Sequence, residues 1–291
     1  MRFLHESEVQ SLLSKYSIRP SRDRGQSFLI SQRIAQEIVD AADLSGQDTV
    51  LEIGGGLGIL SQLLAISANH LYVVEIEEGL VQALSDRLSD YPNVTLIHGD
   101  ALSIDLPVVT KVVANLPYSV ASEITFRLLR ESSFNLAILM YQKEFAQRLL
   151  ATPDSSDYSR LSIDFQYLGT AKHLMDVKSS QFYPRPQVDS SILAIQKRKE
   201  GAFAQDAAIF FWMVHGMYSY PNKQLKKALG FWFKVLKQQD KIENLLGRIH
   251  ERLDVTSRLR ALKMSELVFL ADTLSEMIQE GDLPDPRGGY H

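Results

Sequence analysis

The run Val50-Leu51-Glu52-Ile53-Gly54-Gly55-Gly56-Leu57-Gly58 constrains the fold of this chain more than any other stretch. A short apolar run broken by glycines reads as a buried strand turning sharply into a helix. Ile59, Leu60, Leu63 and Leu64 follow at helical spacing. The pattern then repeats, with strands expected over 71–75, 94–97, 112–114 and 136–140. Helices are expected over 78–88, from a Ser122 cap to about residue 130, and over 144–150. Strands alternating with helices at this interval require a mainly parallel sheet covered on both faces, a Rossmann-like α/β fold.

After a polar loop at 152–157 come a helix to about residue 167 and strands over 173–177 and 190–195. Beyond Lys199 only helices are expected, over 207–218, 223–237, 242–253 and 265–278. The chain therefore divides into a catalytic α/β domain, 1–199, and a small helical domain, 200–283. A flexible tail rich in Gly, Pro and Asp follows at 284–291.

With 45% hydrophobic residues among 291, the chain can bury a large core. No apolar run approaches the length of a membrane span, and the first residues lack a signal core. Cysteine is absent, which suits a reducing, cytoplasmic setting and excludes thiolate metal sites. The seven histidines show no ligand spacing, so no metal is expected. Net charge is -4, but residues 185–263 carry 15 Lys+Arg against 7 Asp+Glu, while the remainder carries 16 against 28. That asymmetry fits either a polyanion partner for this stretch or simply solvated helix faces.

Glycines at 54, 56 and 58 allow a tight turn and close approach to a ligand. The dinucleotide pattern would need a glycine at 59, where Ile59 stands. A pattern ending one residue earlier suits a cofactor without pyrophosphate and resembles the S-adenosylmethionine (SAM) loop of class I methyltransferases. Glu75 ends the second strand, 17 residues after Gly58, where a carboxylate can accept ribose hydroxyls. Asp100, in Gly99-Asp100-Ala101, follows the third strand, where it can take an adenine amino proton. Each acid can alternatively cap the helix that follows it.

Asn115-Leu116-Pro117-Tyr118 closes the 112–114 strand. An exocyclic amine on an aromatic base is a poor nucleophile, because its lone pair is delocalised into the ring. The Asn115 side-chain oxygen and the Leu116 carbonyl can accept its two hydrogens and turn the lone pair toward a methyl donor, by orientation and electrostatics. Pro117 stiffens the loop, and Tyr118 offers a face for the base. Phe182, in Phe182-Tyr183-Pro184-Arg185-Pro186-Gln187-Val188-Asp189-Ser190, either forms the second face of a base clamp or packs in the core.

Together with Gly25-Gln26-Ser27-Phe28-Leu29, these six ordered motifs resemble the small-subunit ribosomal RNA adenine dimethyltransferase family, whose relatives include macrolide-resistance and mitochondrial enzymes. Val112-Val113-Ala114 and Leu139-Met140-Tyr141-Gln142-Lys143-Glu144-Phe145-Ala146 look like its archaeal and eukaryotic branch. The resemblance implies SAM contacts by Gln26, Ser27, Leu29, Gly54, Gly56, Glu75, Asp100 and Asn115, with Tyr118 and Phe182 at the target base. It implies dimethylation at N6 of two adjacent adenosines near the 3′ end of small-subunit rRNA, in an immature small ribosomal subunit. A monomer is the default expectation, and the lack of an apolar span gives no membrane partner. Lys197, Arg198, Lys199, Lys223, Lys226 and Lys227 are then expected to hold RNA phosphates.

The chain departs from the family pattern at Arg22-Asp23-Arg24. It departs again at Tyr220-Pro221-Asn222-Lys223-Gln224-Leu225-Lys226-Lys227, where the family has paired arginines. Lysine gives phosphate a point charge but no bidentate fork. Two other readings fit the loops: methylation of another amine, such as a DNA adenine or a protein glutamine, and a ribosome assembly factor.

Overall fold

The structure is a computed structural model that describes residues 6–20 and 26–288. Gly25, the Arg22-Asp23-Arg24 stretch and residues 289–291 of the expected tail lie outside the described residues.

Along the chain run α1 (Glu6–Lys15), β1 (Phe28–Leu29), α2 (Gln32–Ala41), β2 (Thr49–Ile53), α3 (Ile59–Ser67), β3 (His70–Glu75) and α4 (Glu78–Leu88). Then come β4 (Val94–His98), β5 (Lys111–Asn115), α5 (Ala121–Glu131), β6 (Leu136–Gln142), α6 (Lys143–Leu150) and α7 (Arg160–Leu168). β7 (Gly169–Val177), β8 (Phe182–Tyr183) and β9 (Ser190–Lys197) complete the strands. α8 (Ala207–Met217), α9 (Leu225–Val235), α10 (Ile242–Ile249) and α11 (Met264–Gln279) close the chain.

Two compact units form. The first holds the described residues up to Ala146 and Gly169–Lys197. Its main sheet has the order β4-β3-β2-β5-β6-β9-β7. The pairs among β4, β3, β2, β5 and β6 are parallel, and β9 is antiparallel to both its neighbours. Val50, Leu71, Val73, Val113 and Ile138 are buried from the sheet into one core with Ile34, Ala35, Ile38 and Leu64 of the helices. Leu51, Val74, Val112 and Ala114, at the alternate positions, are buried on the opposite face, and burial on both faces is what a parallel sheet demands. Because β2 has β3 on one side and β5 on the other, the chain turns in opposite directions after β2 and β5, and a crevice opens at their C-terminal ends.

The second unit holds Gln147–Leu168 and the described residues from Arg198 onward. This differs from the expected boundary at Lys199, which left 147–168 in the catalytic domain. The reason is packing: Tyr158, Ile163 and Tyr167 share a core with Phe210, Met213, Trp232 and Leu267. Tyr167 stacks on Phe210, ring centroids 4.1 Å apart. Asp206 caps α8 by accepting from the Ala208 and Ile209 N–H groups. The described residues just before and within the expected tail make contacts with the helical unit. Leu283 is buried in the helical core, and Arg287 Nη1 lies 2.8 Å from Asp206 Oδ2.

Two local details also differ from expectation. Ser122 does not cap α5; Val120 holds that position and makes no side-chain cap bond. α1 and α2 had no counterpart in the expected elements, although Ser31 caps α2 by accepting from the Ile34 N–H.

Candidate active site

The loops after β2, β3, β4 and β5 surround a cavity of about 310 Å³ in the first unit. Gln26, Ser27, Leu29, Gly54, Gly56, Glu75, Asp100 and Asn115 through Tyr118 all line it. Phe182 does not. It is 3% exposed, pairs with Leu29 in the small β1–β8 sheet, and packs in the core with Ile192 and Val177. Of the two roles the sequence allows, this packing is the core one, and a part for Phe182 at the base would need its side chain to leave it.

Gly56 sits at φ 55°, a left-handed conformation that turns its N–H back toward the end of β3. There it donates to Glu75 Oε2 at 3.1 Å. Glu75 Oε1 accepts from the Ile76 and Glu77 N–H groups at 2.9 and 3.1 Å. Burial pushes this carboxyl up, and the three backbone donors oppose the rise. An ionised carboxylate offers about four acceptor sites, so one remains for a ligand hydroxyl. The Glu75 side chain therefore both braces the glycine loop and faces the cavity. Gln26 Nε2 donates to Glu77 Oε2 at 2.6 Å, which fastens the segment before β1 to the loop after β3. Asp100 uses Oδ1 to accept from the Leu102 N–H at 2.8 Å and so shapes its own turn beside the cavity.

Among the cavity-lining residues that the sequence did not single out as site residues, three stand out. Phe28 lies against Gly56, whose added Cβ would meet the ring at 3.2 Å. Ile76 is 56% exposed at the cavity, an apolar surface suited to a planar base; its signal was an apolar residue directly after a strand-ending acid. Glu52 is the third. It is buried within β2, and among the described residues its Oε2 has no hydrogen-bond partner. Burial, with Glu75 nearby, pushes its carboxyl up to about 8. A buried carboxyl lining a cavity is satisfied by a cation entering that cavity, and SAM carries an ammonium and a sulfonium. The donor set thus fits this cofactor.

That pKa makes a prediction. The folded state holds the Glu52 proton more tightly than the unfolded chain, whose value is about 4.5. Stability from this group is therefore full below about 4.5 and declines as pH rises toward about 8. Thermal unfolding of the SAM-free protein should show a Tm falling across that window, and Glu52→Gln should flatten the fall. Identical pH profiles for both proteins would remove Glu52 as its source.

The Asn115 amide donates from Nδ2 to the Ser27 carbonyl in a long 3.4 Å bond. Among the described residues nothing donates to Asn115 Oδ1 or to the Leu116 carbonyl. Two acceptors thus stand unused on one loop beside the cavity. Tyr118 is held by a 2.6 Å bond between its hydroxyl and Ser190 Oγ, and burial pushes its phenol up. A neutral, anchored ring suits stacking. Tyr118→Phe keeps the ring and should lower kcat/KM for RNA less than tenfold, whereas Tyr118→Ala should cost roughly ten- to a hundredfold. Equal losses in the two variants, measured in steady-state transfer, would refute stacking.

The expected phosphate contacts fare unevenly. Lys199, Lys223, Lys226 and Lys227 are exposed, and Lys226 lies 4.0 Å from Glu243. Lys197 is half-buried with its ammonium 5.8 Å from the Phe134 ring centroid. Arg198 turns inward, against expectation. It donates to the Glu200 and Ala202 carbonyls and lies 4.4 Å over Phe203, so its fork serves the local turn. Among the described residues no group of three His, Asp or Glu side chains is placed to hold a metal, and no helix is long and apolar enough to cross a membrane.

Methyl transfer to a ring amine needs a nucleoside-binding crevice and hydrogen-bond acceptors on one rigid frame, and the first unit supplies both as a class I SAM-dependent methyltransferase. The family model described as ribosomal RNA adenine dimethylase matches residues 19–268. The chain belongs to the ribosomal RNA adenine dimethylase family. It is 40% identical over 269 residues to the probable ribosomal RNA small subunit methyltransferase A of Methanosarcina acetivorans, covering 92% of this chain and 98% of that protein. The protein of the same name from Methanothermobacter thermautotrophicus is 34% identical over 273 residues, covering 93% and 97%. A dimethyladenosine transferase from Plasmodium falciparum superposes with TM-score 0.75 at 26% identity, over 86% of this chain and 97% of that one. The 23S rRNA methyltransferase ErmE shares the fold, with TM-score 0.64 at 24% identity over 85% and 99% of the two chains.

Proposed function

We propose that this chain methylates N6 of two adjacent adenosines near the 3′ end of small-subunit rRNA, within an immature small ribosomal subunit. It acts in this reading as a cytoplasmic monomer in ribosome biogenesis. SAM supplies a methyl group activated on a positively charged sulfur. The protein binds that cofactor at Gln26, Ser27, Leu29, Gly54, Gly56, Glu75 and Asp100. The observation that carries the proposal is the pair of unused acceptors, Asn115 Oδ1 and the Leu116 carbonyl, beside an anchored Tyr118. An N6 amine has two hydrogens for those acceptors and a ring for that tyrosine. Because the departing carrier is neutral after transfer, the extra amine proton can leave to water and no strong base is required.

The test is transfer of labelled methyl from SAM to unmodified small ribosomal subunits, followed by nucleoside analysis of the RNA. Dimethyladenosine confined to an adjacent pair is the expected product. Transfer to protein, to DNA, or to no acceptor while SAM still binds would overturn the reading.

A further inference from the structure

Between Ser219 and Gln239 the sequence carries five lysines, at 223, 226, 227, 234 and 237, and no acidic residue. α9 lies within this stretch and buries Leu225, Ala228, Leu229, Trp232 and Phe233 on one side. On the other side Lys227, Phe231 and Val235 recur every four residues, which aligns them in one stripe. Phe231 is 45% exposed and Val235 71% exposed. Tyr220 stacks on Phe231, with ring centroids 5.2 Å apart and planes 30° from parallel. Among the described residues Lys223, Lys227 and Lys234 have no carboxylate partner.

Exposed aromatic surface is unfavourable in water, and unpaired cations at this density repel one another. A ligand that relieves both must be an anion with flat apolar faces. Nucleic acid meets that description, since every base has a π-face and every linkage a phosphate. A protein partner would match the apolar stripe but would need an acidic rim to match its lysines.

We propose that the Tyr220–Phe231 stack on α9 docks an unpaired nucleotide of the RNA substrate, its base on Phe231 and its phosphates at Lys223, Lys227 and Lys234. The inference rests on the reading that the substrate is small-subunit rRNA, and it adds a second point of base contact within the helical unit. Stacking here tolerates any base, so the site selects an unpaired conformation rather than a sequence.

Affinity of the full chain for unmodified small ribosomal subunits tests this, measured over a range of salt concentrations. Phe231→Ala should weaken binding about tenfold without changing the salt slope, and Phe231→Trp should restore it. Lys227→Ala should lower the slope of log affinity against log salt by roughly 0.7–0.9, as one phosphate contact is lost. Val108, 84% exposed in the first unit, supplies a control: Val108→Ala should bind as wild type. Phe231→Ala binding as wild type would overturn the proposal. So would Phe231→Leu binding as wild type, because an apolar contact without a ring would indicate a protein partner. Wild type that methylates subunits while Phe231→Ala binds unchanged defeats this inference alone. Wild type that neither binds nor methylates them defeats it together with the reading beneath it.

Discussion

Asn115→Ala is expected to lower single-turnover methyl transfer about 10²- to 10³-fold while SAM affinity changes far less. The side chain extends from the end of β5 with Nδ2 committed to the Ser27 carbonyl. That bond leaves Oδ1 as an acceptor beside the cavity, at the switch point between β2 and β5. Its effect on rate lies in the difference between ground and transition states. As the amine nitrogen becomes tetrahedral and acquires positive charge, each N–H becomes a stronger donor, and an acceptor fixed in advance gains strength with it. Loss of one preorganised hydrogen bond of this kind typically lowers kcat by about 10²–10³. Ground-state binding of SAM, which the proposed contacts at the glycine loop and the strand-end acids would hold, has no equivalent dependence. Quenched-flow transfer paired with calorimetric SAM titration separates the two. Turnover within threefold of wild type would sink the orienting role of Asn115.

Local physics and long-range packing divided what could be read from the residues. β2 was legible because four buried residues end at glycines, and its partner strands were legible as short apolar runs ended by polar residues. The cavity followed, since strand-end loops in such a sheet can only converge on the switch point. Ser122 misled because a good capping residue marks a helix start to within a turn, while the register is decided by which face must bury Ile124, Thr125 and Leu128. Phe182 was undecidable locally, as an aromatic before Tyr-Pro suits a pocket or a core equally. Its pairing with Leu29 across the chain chose the core. Arg198 was counted as surface charge by residue type, yet its guanidinium closes the turn that carries Phe203. The 147–168 segment joined the helical unit for a similar reason: Ile163 and Tyr167 find apolar partners more than forty residues later, which no window along the chain reveals.

Glu75→Ala should weaken SAM binding by about a hundredfold or more and lower thermal stability as well. Glu75 is 5% exposed, and its carboxylate holds three backbone N–H groups, those of Gly56, Ile76 and Glu77. Hydrogen bonds to a charged group are each worth roughly 1.5–3 kcal/mol, and a donor left unpaired in a buried place costs roughly 1–3 kcal/mol. The Gly56 loop, held at positive φ, then loses the acceptor that keeps its N–H turned toward β3. Cofactor binding suffers twice, through the missing acceptor for a ribose hydroxyl and through a slackened loop. A hundredfold change corresponds to about 2.7 kcal/mol, within the reach of two such bonds. Glu75→Gln discriminates between the two contributions. Its single amide oxygen can serve Ile76 and Glu77, but the amide nitrogen then faces the Gly56 N–H donor to donor. The Gln variant should therefore recover most of the stability and little of the affinity. Calorimetric SAM titrations and Tm measurements on both variants decide the matter: recovery of affinity in Glu75→Gln would mean that a carboxylate is not required at the ribose. Loss of stability without loss of affinity in Glu75→Ala would confine the residue to bracing the loop.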